Sequence, residues 1–322
     1  MKSWLFLPNT AILLLVLPSC TEYRQTLRKH VVFSPKNIQT SLDTTAAIER
    51  PSAITVWIHG TRLFYVAGNL SNFQFSKPGL HLARDYAPQY HLYQVGKTLI
   101  ESAPHLFSSD SFYIFGWSGK LDFNAREQAA ERLYKELSVV IEQYEQKYNA
   151  QPVVRIITHS HGGNVALNLA RVTPKKESFH IDELILLACP VQDHTASLIR
   201  SSIFKKIFCI YSQLDICQIL DPQGFYKNGT KSSSWLSGRY FPEQENLEQV
   251  KIKMNGRSIF HSEFVFPRFL AFLAEIIGTM DHWHKEIPQD KPFAKFIKML
   301  HVRTNGKPFK FKHSHSNKLA LA

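Results

Sequence analysis

The stretch Ile156-Ile157-Thr158-His159-Ser160-His161-Gly162-Gly163 constrains this chain more than any other. An apolar run leads into a serine, two glycines follow, and a helix-like segment comes next. Gln151 to Ile157 contains Val153, Val154, Ile156 and Ile157, which fits a strand buried on both faces. Asn164 to Val172 reads as a helix, with Val165, Leu167, Leu169 and Val172 among small residues. Strand, serine and helix in this order hold a hydroxyl clear of a sheet edge. Gly162 allows the close backbone packing that so tight a turn requires, and the helix start behind it favours developing negative charge. The hydroxyl becomes a useful nucleophile only when a turn exposes it and an imidazole removes its proton. The run departs from G-x-S-x-G because Thr158 stands at the first glycine.

Other segments supply the parts such a serine needs. Ala53 to Ile58 is a second buried strand, ending in His59-Gly60-Thr61. Gly60 lets the backbone approach with no side chain in the way. The N–H of Thr61 and the N–H of His161 then read as two donors for an oxyanion. His59, Gly60 and Trp117 read as lining of the same site. Downstream, Lys206 to Tyr211 is an apolar strand followed by Ser212-Gln213-Leu214-Asp215, and Phe260-His261-Ser262 precedes the apolar segment Phe264 to Ile277. An acid at the strand end can orient an imidazole, and a histidine before a last helix can reach back to the serine. Asp193, after the strand Leu184 to Cys189, and Asp221 are the competing acids. His159, His161, His282 and His284 are the competing bases; the two that flank Ser160 read as wall or lining residues.

The motifs His59-Gly60, His159-Ser160-His161-Gly162-Gly163 and Tyr211-Ser212-Gln213-Leu214-Asp215, with His261 after them, resemble the α/β-hydrolase superfamily and its lipase- and esterase-like members over roughly residues 50 to 278. The resemblance implies an α/β fold, a mostly parallel eight-stranded sheet with helices on both faces. It implies a Ser160-His261-Asp215 triad working through an acyl-enzyme, with no cofactor. The expected activity is hydrolysis of a carboxylic ester, a lipid or other acyl ester. Amidase, thioesterase and acyltransferase chemistry would use the same residues. Thr158 keeps open a reading of another class, a membrane-anchored binding protein on this scaffold without catalysis.

The remaining sequence bounds domains and compartment. Residues 1–19 combine a positive start with an apolar run too short to span a bilayer, and Leu17-Pro18-Ser19-Cys20 resembles a bacterial lipoprotein cleavage box. The expectation is an exported protein anchored through lipid on Cys20, with plain secretion or an uncleaved anchor as alternatives. Residues 20–50 read as a linker or arm, 51–280 as the hydrolase domain and 281–322 as a basic extension. Residues 291–322 hold eight Lys or Arg and no acid, most of the net charge of +12. Phe293, Phe296, Ile297 and Leu300 share one helical face there, fitting a short helix docked on the domain or lying on an anionic membrane. No nucleic-acid motif accompanies the charge. Without Cys20 the cysteines are Cys189, Cys209 and Cys217, too few for a disulfide scaffold. No metal-ligand spacing appears, His282-Trp283-His284 being isolated. Ala125 to Tyr148 has the clearest helical period, with Asn124 and Glu127 as a capping box. Gly116-Trp117-Ser118-Gly119-Lys120 lacks the spacing of a phosphate loop. Between His59-Gly60 and the next strand, Phe112 to Trp117, the chain has room for an insertion above the site, with the aromatic-rich Tyr65 to Phe75 and a helix from Leu92 to Phe107, and Phe225 to Phe241 reads as a loop that could form a lid wall.

Overall fold

The computed structural model describes residues 53–61, 76–174, 179–215, 226–227, 230–231, 240–286, 298–302 and 310–313. The leader 1–19, Cys20, the arm 20–50, Tyr65 to Phe75, Cys217, Asp221, Phe293, Phe296 and Ile297 lie outside the described residues.

The strands are β1 (Ala53–Ile58), β2 (Gly79–Leu82), β3 (Phe112–Gly116), β4 (Val153–His159), β5 (Glu183–Leu187), β6 (Ile207–Tyr211), the short β7 (Tyr226–Lys227) and β8 (Thr230–Lys231), β9 (Leu247–Met254), β10 (Arg257–Ser258), β11 (Lys298–Val302) and β12 (Lys310–His313). The main sheet has ten strands in the order β12-β11-β9-β6-β5-β4-β1-β3-β2, with β10 folded back on β9. Every pairing from β3 through β1, β4, β5, β6 and β9 to β11 is parallel. β2, β10 and β12 pair antiparallel with their neighbours. The sheet is mostly parallel, as expected. It exceeds eight strands because segments read as a basic extension contribute β11 and β12. Leu300, placed above on a helical face, is on β11. Leu300 and Val302 are buried there with His301 between them only partly so, a period of two rather than 3.6. Within Phe225 to Phe241, read as a loop, β7 and β8 form a small antiparallel pair of their own.

Alternation along the strands puts apolar side chains on both faces, so both need cover. Ile54, Val56 and Ile58 point into one core with Ala130, Leu133, Leu137 and Ile141 of the helix Phe123–Tyr148. Trp57, Ile157, Ile185 and Leu187 point into the other, against Leu92, Val95 and Leu99 of His91–Ser102 and Phe269 to Met280 of the last helices. Each fully buried side chain of this kind stabilises by about 1.5–3 kcal/mol. The long helix starts two residues earlier than its apolar period. Asp122, not Asn124, is its N-cap, accepting the N–H of Ala125 at 2.7 Å. Arg155 interrupts the apolar run of β4 and is matched by its register partner Glu183 on β5, Nε to Oε2 at 2.5 Å.

Candidate active site

The carboxyl ends of β1, β4, β5 and β6 lie along one edge of the sheet, and the singled-out residues gather on the loops that leave it. Ser160 follows β4 directly and has φ of 55°, a left-handed conformation that a residue with a Cβ adopts at a cost of about 1–2 kcal/mol. Its N–H donates to Leu187 O at 2.9 Å and its carbonyl accepts the N–H of Gly163 at 3.0 Å, so the turn is locked to β5 and to the helix Gly162–Leu167. Asp215 follows β6. His261 comes after the hairpin that β9 makes with β10, and its Nδ1 lies 2.8 Å from Asp215 Oδ1. This is the α/β-hydrolase fold.

Close approach explains the glycines of the serine turn and of the loop after β1. A Cβ on Gly162 would lie 2.6 Å from both Ile58 O and His59 O, so the helix start packs directly on the end of β1. A Cβ on Gly60 would lie 2.7 Å from Ser160 Cβ, which sets the backbone of the His59-Gly60-Thr61 loop against the serine. Thr158 is fully buried within the sheet, and its hydroxyl donates to Ile185 O at 3.2 Å. The β-branched side chain at the missing glycine is therefore housed one residue below the turn rather than in it.

The loop after β1 is braced through His59. Its Nδ1 donates to Gly60 O at 2.9 Å and its Nε2 accepts the N–H of Trp117 at 3.3 Å, which fixes the tautomer. Trp117 Nε1 donates to His59 O at 2.8 Å, and the two rings stack with centroids 5.9 Å apart. Both residues are buried, so they shape the loop from within. Thr61 Oγ1 is enclosed and has no hydrogen-bond partner among the described residues. His161 is buried on the other side of the turn. Asn164 Nδ2 donates to Pro190 O at 3.0 Å and to His161 Nδ1 at 3.3 Å, while Thr195 Oγ1 donates to Asn164 Oδ1.

The competing residues are placed elsewhere or otherwise engaged. Asp193 is exposed in the first turn of the helix Asp193–Ala196. His282 is exposed on the helix Leu273–Glu286. Cys189 and Cys209 are buried, and burial pushes the Cys209 thiol up to about 12.

Two contributors escaped the sequence reading. Ser212 Oγ accepts the N–H of Ile259 at 3.0 Å, tying the Asp215 loop to the His261 loop. Glu263 Oε2 accepts the N–H of Phe260 at 2.7 Å, and its carboxylate takes both terminal nitrogens of Arg257, at 2.9 and 2.7 Å, and one of Arg268. Burial acts to raise the Glu263 carboxyl. The hydrogen bonds from Arg257 and Phe260 and the charges of Arg268 and Arg257 outweigh it and hold the group below its ordinary value. The turn that carries His261 is thus clamped by a buried carboxylate. A glutamate three residues after Phe260, at the N3 position of a short helical turn and flanked by Arg257 and Arg268, is the signal that could have found it.

Burial also keeps several imidazoles neutral. It lowers His91, at the start of His91–Ser102, to about 4. His159 is held well below 6.5 by burial, then by His261, His91 and His59. His161 is held well below 6.5 by burial, then by Arg126 and His261. The unfolded chain takes up these protons near pH 6.5 and the folded chain does not, so stability is complete above that pH and is lost as pH falls below it. For His91 the loss runs between about 6.5 and 4 and amounts to about 3 kcal/mol. Against a domain stability of about 5–15 kcal/mol this is large. The thermal midpoint is expected to be level above pH 7 and to drop steeply below 6.5. A flat profile from pH 7.5 to 4.5 would contradict the buried neutral histidines.

No family model matches the chain, and no curated protein does. Among solved structures, the chain is similar to carboxyl esterase 2 of the mycorrhizal fungus Tuber melanosporum, at 9% identity over 73% of this chain and 77% of that one, with a TM-score of 0.38. It is also similar to a hyperthermophilic esterase of the archaeon Pyrobaculum calidifontis, at 13% identity over 73% and 74% of the two chains, with a TM-score of 0.35.

Proposed function

We propose that this protein is a serine hydrolase that cleaves carboxylic esters through an acyl-enzyme. The observation that carries the reading is the left-handed Ser160 on its strand-to-helix turn, at the same sheet edge as a His261 ring bonded to a fully buried Asp215. In this reading Ser160 Oγ attacks the ester carbonyl and His261 Nε2 takes its proton. Asp215 accepts the Nδ1–H, fixes the tautomer and balances the imidazolium. The N–H groups of Thr61 and His161 hold the oxyanion. One such donor is typically worth about 2.7–4 kcal/mol of the barrier. His261 then returns the proton to the leaving alcohol, and water repeats the sequence on the acyl-enzyme.

The reading extends to lipid esters. Leu214 and Phe260, the immediate neighbours of Asp215 and His261, are large exposed apolar side chains. Leu121, beyond the end of β3, and Tyr240, packed on the ring of Tyr211 at the end of β6, are exposed as well. Exposed apolar side chains next to the acid and the base suit an acyl chain. Lipid on Cys20 would tether the protein to a bilayer. No helix among the described residues is long and apolar enough to cross one.

A fluorophosphonate probe tests the reading directly. The folded protein is expected to label once, and peptide mapping is expected to find the adduct on Ser160. Absence of labelling, or an adduct on another serine, would refute it.

A further inference from the structure

His159 precedes Ser160 and closes β4, and its ring faces the residue read as general base. The centroids of the His159 and His261 rings are 4.6 Å apart and their planes meet at 48°. His159 Nε2 lies 3.0 Å from the main-chain oxygen of His261. A carbonyl only accepts, so Nε2 carries the proton and Nδ1 is the bare nitrogen. On that other side, a Cβ on Gly60 would come within 3.3 Å of Nδ1 and 3.2 Å of His159 O. The imidazole therefore fills the gap between the loop after β1 and the turn that carries His261.

The consequence follows from chain connectivity. His261 is 101 residues after Ser160 in sequence and is carried on a separate loop. Asp215 and Ser212 tether it to the end of β6, and Glu263 stiffens its own turn. None of these fixes it to the strand that carries the serine. His159 does, because it adjoins Ser160 on one rigid strand and holds the His261 main chain by a hydrogen bond and the His261 ring by contact.

We infer that His159 is a positioning residue, which sets the height of the His261 imidazole over Ser160 by donating its Nε2–H to the His261 carbonyl. The inference rests on the hydrolase reading of Ser160 and His261. A misplacement of about 1 Å between reacting groups costs roughly a hundredfold in rate, so a tether of this kind has a measurable value. Among the described residues, the titratable groups that act on His159 are the imidazoles of His261, His91 and His59. That surrounding keeps it neutral, so it acts as donor and spacer and leaves the proton transfer to His261.

The test compares His159→Phe, which keeps a ring and removes the donor, with His159→Gln, whose amide nitrogen can reach the same carbonyl. For His159→Phe, kcat and the rate of fluorophosphonate labelling at Ser160 are expected to fall about 10- to 100-fold, with KM unchanged. For His159→Gln, both are expected to stay within about threefold of wild type. Equal losses in the two variants, or a wild-type rate in His159→Phe, would overturn the inference. Failure of the underlying reading has a different signature, since wild-type protein would then not label at Ser160 at all. A measurement without any substitution stands beside these. Long-range 1H–15N spectra of the wild-type imidazoles are expected to find His159 neutral with its proton on Nε2, and a proton on Nδ1 would overturn the inference even if His159→Phe did not fold.

Discussion

Ser160→Ala is expected to remove acyl-ester turnover, lowering kcat by about 10⁴- to 10⁶-fold, while the protein stays folded. The loss is this large because in the proposed mechanism the hydroxyl is the atom that forms the covalent intermediate, and no neighbour on the turn can replace it. His159 and His161 are held neutral and packed against other groups. The fold is expected to survive because the turn is held by main-chain bonds, from Ser160 N–H to Leu187 O and from Gly163 N–H to Ser160 O, which alanine keeps. Ser160→Gly sharpens the test. The φ of 55° costs a residue with a Cβ about 1–2 kcal/mol, whereas the extra freedom of glycine in the unfolded chain costs only about 0.4–1 kcal/mol. That variant is expected to be inactive and to melt no lower than wild type, the mark of strain stored at a working residue. Wild-type turnover of short- and long-chain esters by Ser160→Ala would move the nucleophile elsewhere. A loss of several degrees in the midpoint of Ser160→Gly would show that the turn is not strained.

The central fold was legible because its strands are short apolar runs bounded by polar turns. Val153 to Ile157, Ala53 to Ile58, Phe112 to Gly116 and Ile207 to Tyr211 could not be buried by anything but a sheet covered on both faces. Strand ends were legible too, since His59-Gly60 and Ser160 to Gly163 announce tight backbone. What escaped was built from pairings that have no local signature. β11 buries Leu300 and Val302 two positions apart, and its basic neighbours made Leu300 look like part of an amphipathic helix. Asn255-Gly256, with φ of 50° and 84°, is the hairpin signal that turns β9 back into β10 and aims the chain at His261. Read as a turn, it would have accounted for how the histidine arrives. Ser212 was missed because its partner, the N–H of Ile259, is main chain and leaves no trace in residue type; Glu263 takes the N–H of Phe260 as well, and only Arg257 and Arg268 beside it in sequence point to its place. His159 was read as a wall residue, and only its geometry against His261 gives it a more specific place.

Asp215→Asn is expected to lower kcat by about 10⁴-fold with little change in KM. Asp215 is fully buried and its Oδ1 is 2.8 Å from His261 Nδ1. The carboxylate can only accept, so it holds the proton on Nδ1 and leaves Nε2 bare to take the serine proton. Asparagine fits the same space but presents either an oxygen without charge or an NH2 group. The first leaves the imidazolium formed during attack without a compensating charge; the second forces the proton onto Nε2 and disables the base. Neither touches the bound acyl group, which is why KM should hold. The same substitution at Asp193 is a control with a definite expectation, because that carboxylate is exposed in the first turn of a short helix after β5. Asp193→Asn should retain wild-type kcat. If the two results are exchanged, the acid belongs to the loop after β5, and the bond between Asp215 and His261 serves the stability of the loop rather than proton transfer.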